Sequence, residues 1–117
     1  MVLAMANTGL DLDAVASFHG GLGLAVMPEA GKVQARVLVC NGADDPFISS
    51  AQIDSYTKAM DEAGAKYEFV NYAGAVHGFT SKGADAHGED FDLPLAYNKE
   101  ADDDSWKRMK KLFADVW

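Results

Sequence analysis

Three short apolar runs, separated by polar segments, stand out along the chain. Ala35–Cys40 is an apolar run of the kind that forms a strand buried on both faces of a sheet. Asp13–Phe18 predicts a second short buried strand, and Tyr67–Tyr72 predicts a third. Turn residues directly follow Asp13–Phe18 and Ala35–Cys40, so each of these strands is expected to end in a loop.

Three other segments have helical character. Val2–Asn7 begins as if already inside a helix, and Ser50–Ala63 has apolar residues three and four positions apart, with Ser49 or Ser50 as its cap. Tyr97–Val116 predicts a longer helix with an acidic start. The predicted buried face of this last helix consists of Trp106, Met109, Leu112, Phe113 and Val116.

This order of elements predicts a small α/β fold. Right-handed crossovers between consecutive strands would give a parallel sheet of about three strands flanked by helices. Ser81–Leu95 is polar, with two glycines and a proline, and is interpreted as a long connector that is mobile or covers a site. Asp13–Phe18 would then lie at an apolar open edge, which is an aggregation hazard unless something covers it.

Composition narrows the function classes. The chain has 117 residues and a formal net charge of -8, which argues against a nucleic-acid partner because binding to phosphates needs a basic face. No stretch resembles a leader or a membrane span, so no membrane partner is expected. A single cysteine excludes an internal disulfide and fits a cytoplasmic location.

Asp45 and His77 form the sharpest candidate pair for chemistry. Asp45 follows the second strand and His77 follows the third, so in a parallel sheet both lie at the same edge. A carboxylate beside an imidazole fixes its tautomer and stabilises the imidazolium that forms during proton transfer. The alternatives are a turn aspartate that bonds its own backbone and a loop histidine packed under Phe79.

Other reactive groups give weaker signals. No G-x-S-x-G or G-x-C-x-G motif occurs in the sequence, and Cys40 is interpreted as a small buried apolar residue. The glycine-rich stretch His19–Gly23 could offer backbone N–H groups to an anion, but a plain turn accounts for it equally. His19, His77 and His87 fit no known metal-ligand spacing, so neither a metal nor a cofactor is expected.

Longer stretches of the sequence resemble one protein family. They are SFHGGL at Ser17–Leu22, VLVCNGADDPFIS at Val37–Ser49, FVNYAGAVHGF at Phe69–Phe79 and LAYNKEADDDSW before the last helix. Together they resemble the C-terminal half of dienelactone hydrolases, a branch of the α/β-hydrolase superfamily. The resemblance covers essentially the whole chain and implies that residues 1–117 form one partial α/β-hydrolase domain.

The resemblance also implies roles for residues. In that family a nucleophile, usually cysteine, acts with aspartate and histidine to hydrolyse esters and lactones without a cofactor. The family's aspartate matches Asp45 and its histidine matches His77. The nucleophile elbow would come just before the segment that resembles Met1–Thr8, so the expectation is a fragment that keeps the acid and the base but is inactive alone.

Two further interpretations stay open. One is a hydrolase completed by a separate chain that carries the missing half, or rebuilt across a dimer with Cys40 or Ser49 as an unorthodox nucleophile. The other is a self-associating structural or binding module: a homodimer that hides the exposed Asp13–Phe18 edge or the neighbouring apolar faces.

Overall fold

The apolar run at the middle of the chain forms the central strand of a parallel sheet. In the computed structural model, which describes residues 1–117, β2 (Arg36–Gly42) lies between β1 (Ala14–Phe18) and β3 (Tyr67–Tyr72). Both pairings are parallel. Every β2 residue after Arg36 is buried, as in a strand covered on both faces. The predicted small parallel α/β sheet is therefore confirmed, although its central strand runs on through Gly42.

Helices cover both faces of this sheet. The helices are α1 (Val2–Asn7), α2 (Ser50–Glu62), α3 (Ala84–Phe91) and α4 (Lys99–Val116). On one face α1 and α2 pack on the strands, and on the other face α4 does so. The core of the first face includes Leu3, Val37, Val39, Tyr56 and Met60. The core of the second includes Leu38, Cys40, Phe79, Ala101 and Leu112.

Local signals set the helix ends. Ser49 accepts a hydrogen bond from the backbone of Gln52, whose side chain in turn accepts one from the Ser49 N–H, so a capping box starts α2. Gly64 follows the last turn of α2 and has a φ of 68°. Glycine adopts this left-handed conformation without a steric cost, so Gly64 ends the helix. Asn98 caps α4, which places its start two residues after the predicted one.

Two expectations about helices are wrong. The segment predicted as a connector contains α3, in which Gly88 is buried against the Leu95 carbonyl; a Cβ at this position would lie 2.6 Å from that oxygen. This helix depends on a close backbone contact that a periodicity argument does not detect. Trp106 is 53% exposed, because α4 turns Ala101, Ser105 and Leu112 inward instead.

The β1 edge of the sheet is open in this chain. The Arg36 N–H donates to the Asp13 carbonyl and the His19 N–H donates to the Cys40 carbonyl, so odd-numbered β1 positions face β2. The alternate backbone groups of β1 therefore point away from the sheet. Side-chain burial alternates along β1, so the strand is half-buried and not fully buried as its composition indicated.

An apolar groove of about 260 Å³ lies beside this open edge. It is lined by Val2, Met5, Leu12, Ala14, Val15 and Ala16. Separately, none of the four helices combines the length and the apolar character that crossing a membrane requires.

Candidate active site

The parallel sheet brings three loops to its carboxyl edge. His19 follows β1, Asp45 lies three residues beyond β2, and His77 lies in the loop after β3. Open α/β sheets bind their ligands in the crevice at this edge. The two residues predicted from the sequence as an acid–base pair therefore meet here.

Asp45 and His77 form a direct hydrogen bond. The His77 Nδ1 lies 2.9 Å from Asp45 Oδ2, and the Asp45 side chain is fully buried while His77 is 34% exposed. The second carboxylate oxygen, Oδ1, accepts the Phe47 N–H at 2.9 Å. The sequence analysis offered two alternatives for Asp45, a turn residue that bonds its own backbone or the partner of a histidine. In the structure Asp45 is both.

This geometry assigns the tautomer of His77. A carboxylate only accepts hydrogen bonds, so the proton of the shared bond lies on Nδ1 of His77. The other ring nitrogen, Nε2, has no hydrogen-bond partner within the chain. The ring of Phe47 contacts His77 edge-on with the centroids 5.3 Å apart, which limits the orientations of the imidazole.

Glycine at position 42 lets the two loops approach. A Cβ there would lie 2.5 Å from the Ala75 carbonyl oxygen and 3.0 Å from that of Val76. The Asp44 N–H donates to the same Ala75 oxygen at 2.9 Å, and the Ala43 N–H donates to Tyr72 at 2.8 Å. The acid loop, which carries Asp45, therefore packs against the histidine loop, which carries His77. The backbone contacts between them leave no room for a side chain at position 42.

His19 is a neighbour of the pair that the sequence analysis did not place there. Its Nε2 lies 2.9 Å from the Thr80 hydroxyl, and its ring centroid lies 5.4 Å from that of His77. It is not a glycine, yet its φ is 43°, a conformation with a steric cost for most residues. Its position directly after β1 is the signal that could have identified it, because the other two residues also follow strands.

The surroundings of His19 disfavour its charged form. Burial lowers the pKa of the imidazole below its ordinary value, and the positive charge that His77 can carry lowers that pKa further. A neutral ring can exchange a hydrogen bond with the Thr80 hydroxyl in either direction. His19 therefore packs beside His77 in a place that disfavours a second positive charge.

Neither unorthodox nucleophile candidate is activated. Cys40 is buried, and burial raises the pKa of its thiol to about 12, so it packs as the small apolar residue that the sequence indicated. The Ser49 hydroxyl is occupied by the capping box of α2. The glycine-rich stretch after His19 leads to Leu22, which is buried in the core, and an anion-binding role for its backbone stays a prediction.

His87 lies away from the pair, on α3, where its ring contacts Phe91. The structure contains no group of three or more His, Cys, Asp or Glu side chains arranged to hold a metal ion.

The fold and the pair together define a class of protein. A buried acid bonded to a histidine, in loops beyond consecutive parallel strands and in that chain order, is the arrangement of α/β hydrolases. The model of the dienelactone hydrolase family matches residues 1–117, and the chain belongs to this family.

Relatives and solved structures agree with this assignment. The chain is 27% identical over 108 residues to a Synechocystis sp. protein assigned as a carboxymethylenebutenolidase, covering 86% of this chain and 40% of the relative. It is 36% identical, with a TM-score of 0.87, to a dienelactone hydrolase-like promiscuous phosphotriesterase from metagenomic libraries, covering 97% of this chain and 46% of that one.

In a third comparison, too, the chain matches less than half of the other protein. A dienelactone hydrolase structure from Klebsiella pneumoniae subsp. pneumoniae has a TM-score of 0.63 and 27% identity, covering 88% of this chain and 42% of that one. The chain therefore spans less than half the length of each of these three proteins.

Proposed function

We propose that this chain supplies the acid–base half of an ester or lactone hydrolase site. The observation that carries the proposal is the 2.9 Å bond between His77 Nδ1 and the buried Asp45 carboxylate, with Nε2 left free. In such a site Nε2 takes the proton of the attacking group and later gives it to the leaving oxygen. Asp45 keeps the imidazole in the required tautomer and stabilises its charged form.

The attacking atom is proposed to come from outside these 117 residues. The buried thiol of Cys40 and the capping hydroxyl of Ser49 support this, as does the lack of any nucleophile-elbow motif in the sequence. By itself the chain is then inactive as an esterase, because histidine and nucleophile act as a unit. Joined to a polypeptide that carries the elbow and the remaining strands, it would complete the triad.

A complementation assay tests this function. The 117-residue chain is mixed with the amino-terminal part of the metagenomic relative, and hydrolysis of p-nitrophenyl acetate is followed. We expect background rates for either part alone and turnover for the mixture. His77→Ala and Asp45→Asn should each lower the rate of that turnover about a thousandfold or more. Robust hydrolysis by the chain alone that disappears in His77→Ala would overturn the inactive assignment.

The open β1 edge favours a second candidate, a self-associating module. The unpaired backbone groups of β1 and the apolar groove beside it are surfaces that a second copy can cover. Antiparallel pairing of Ala14–Phe18 with the same strand of a partner would give a homodimer with one continuous sheet. Light scattering at micromolar concentration should then give twice the chain mass, and a stable monomer would contradict it.

The proposed location is the cytoplasm. The single cysteine is unpaired and buried, which suits a reducing compartment. Fractionation of the source cells with an antibody to this chain tests the location, and recovery in an extracellular fraction would contradict it.

A further inference from the structure

A cleft separate from the groove beside β1 lies at the opposite end of the sheet from Asp45 and His77. It has a volume of about 570 Å³, within the range of small-molecule sites. Its walls come from the first residues of β2 and β3 and from the second half of α4. Because a strand of this length spans about 20 Å, the cleft is separate from the candidate active site.

Positive charge is concentrated in this cleft. Of the ten Lys and Arg residues in the chain, four line it: Arg36, Lys66, Arg108 and Lys111. Only two of the 18 acidic residues, Glu68 and Asp115, line it with them. The rest of the chain therefore has six basic residues against sixteen acidic ones. An anion approaching this acidic protein meets a favourable potential at this place.

Two of the four cations form ion pairs within the chain and two do not. Arg108 is held by Glu68 and by Asp104, whose Oδ2 lies 2.6 Å from the guanidinium Nε. Arg36 is only loosely paired, at 3.8 Å from Asp115. Neither Lys66 nor Lys111 forms an ion pair or a side-chain hydrogen bond within the chain. The ammonium groups of these two lysines are therefore available to a ligand.

The cleft also has an apolar part. Val37, Leu38 and Leu112 form its floor but are at most 9% exposed, so the aliphatic stems of the long charged side chains provide accessible apolar surface. An inorganic ion would leave these stems in contact with water, whereas an organic body would cover them. We propose that the cleft binds a small organic anion in which a carboxylate or phosphate group is joined to an apolar body.

Titration with simple probes tests the site. Amide signals of the 117-residue chain are followed by NMR while phenyl phosphate or benzoate is added, with phenol and inorganic phosphate as the matched half-ligands. We expect saturable shifts at the starts of β2 and β3 and in the second half of α4, weaker at high salt. Shifts centred on the His77 loop, or equal binding of phenol or inorganic phosphate, would overturn the proposal.

Charge-removing variants provide the control. Lys66→Gln and Lys111→Gln should each weaken binding of phenyl phosphate about fivefold, as expected for the loss of one charged contact. Lys110→Gln removes the same charge from α4 but does not line the cleft, so its affinity should change less than about twofold. Lys66, Lys110 and Lys111 are all exposed, so none of the substitutions should disturb the core, and circular dichroism verifies the fold. Equal weakening in all three variants would indicate a general charge effect and contradict a built site.

Discussion

Both ends of the sheet hold charged side chains with bonded partners, but the two ends differ in how deeply those side chains are buried. At the carboxyl end the Asp45 carboxylate is fully buried and both its oxygens accept hydrogen bonds. At the amino end the ion-paired side chains of the cleft are 42% to 54% exposed. The depth of burial, and not the number of charges, therefore determines how much each end contributes to stability. The buried Asp45 is held in one place by its hydrogen bonds, whereas the cations of the cleft stay accessible to solvent.

Asp45→Ala should give the largest loss of stability. It leaves the Phe47 N–H and the Nδ1–H of His77 without their acceptor in a buried place. We expect the free energy of unfolding to fall by about 3 kcal/mol, measured by urea denaturation. Asp44→Ala is the matched control, because Asp44 is exposed, and should change stability by no more than about 0.5 kcal/mol. Similar losses in the two variants would contradict the difference between the ends.

Gly42→Ala should have the next largest effect. The added methyl group would lie 2.5 Å from the Ala75 oxygen, so the acid loop must move away from the histidine loop. A loss of about 2 kcal/mol is expected, together with a changed His77 ring signal in NMR. Gly21→Ala, which has open space around it, should leave both unchanged. An unaltered His77 signal in Gly42→Ala would show that the loops do not depend on this contact.

The stability of the protein should depend on pH because of His19. Because burial lowers the pKa of His19, the unfolded chain binds its proton more readily than the folded chain does. Stability should therefore fall as the pH drops through the ordinary histidine value of 6.5. His19→Gln, which can still bond Thr80, should flatten this slope in urea midpoints measured on both sides of that pH. If the slope is the same in both proteins, the neutral form of His19 contributes nothing.

The sequence predicted the sheet and the pair for a common reason. β3 matches its predicted bounds, and β2 was found from its apolar run, because both signals are local. Asp45 and His77 meet because the ends of parallel strands lie at one edge, which needs only the topology. Contacts between backbones that are distant in the sequence gave no such signal. The close contact of Gly88 with Leu95, on which α3 depends, was not predicted, and neither was the isolated β-bridge between His77 and Leu95.

Side-chain environments were harder to predict than elements. Trp106 is apolar but lies one position from Ser105, and the helix places Ser105 in the core instead. The cleft at the amino end was not foreseen either, because its cations come from segments that are far apart in the sequence. Folding brings them together, and which two of them lack a partner depends on contacts that form only in the folded chain.

Breaking the ion pairs of the amino end should have the smallest effect on stability. Glu68→Gln removes one partner of Arg108, and with both groups near half exposure the loss should stay below about 1 kcal/mol and shrink further in salt. Asp104 behaves in the same way, since Arg108, and then Tyr72, lower the pKa of its carboxyl below 3.8. Its contribution is present above that value and is lost only as the pH falls through the lowered pKa. The stability difference between the wild type and Asp104→Asn should therefore persist unchanged across the range in which His19 titrates. A loss in Glu68→Gln as large as that in Asp45→Ala would mean that the amino end is as firmly built as the carboxyl end.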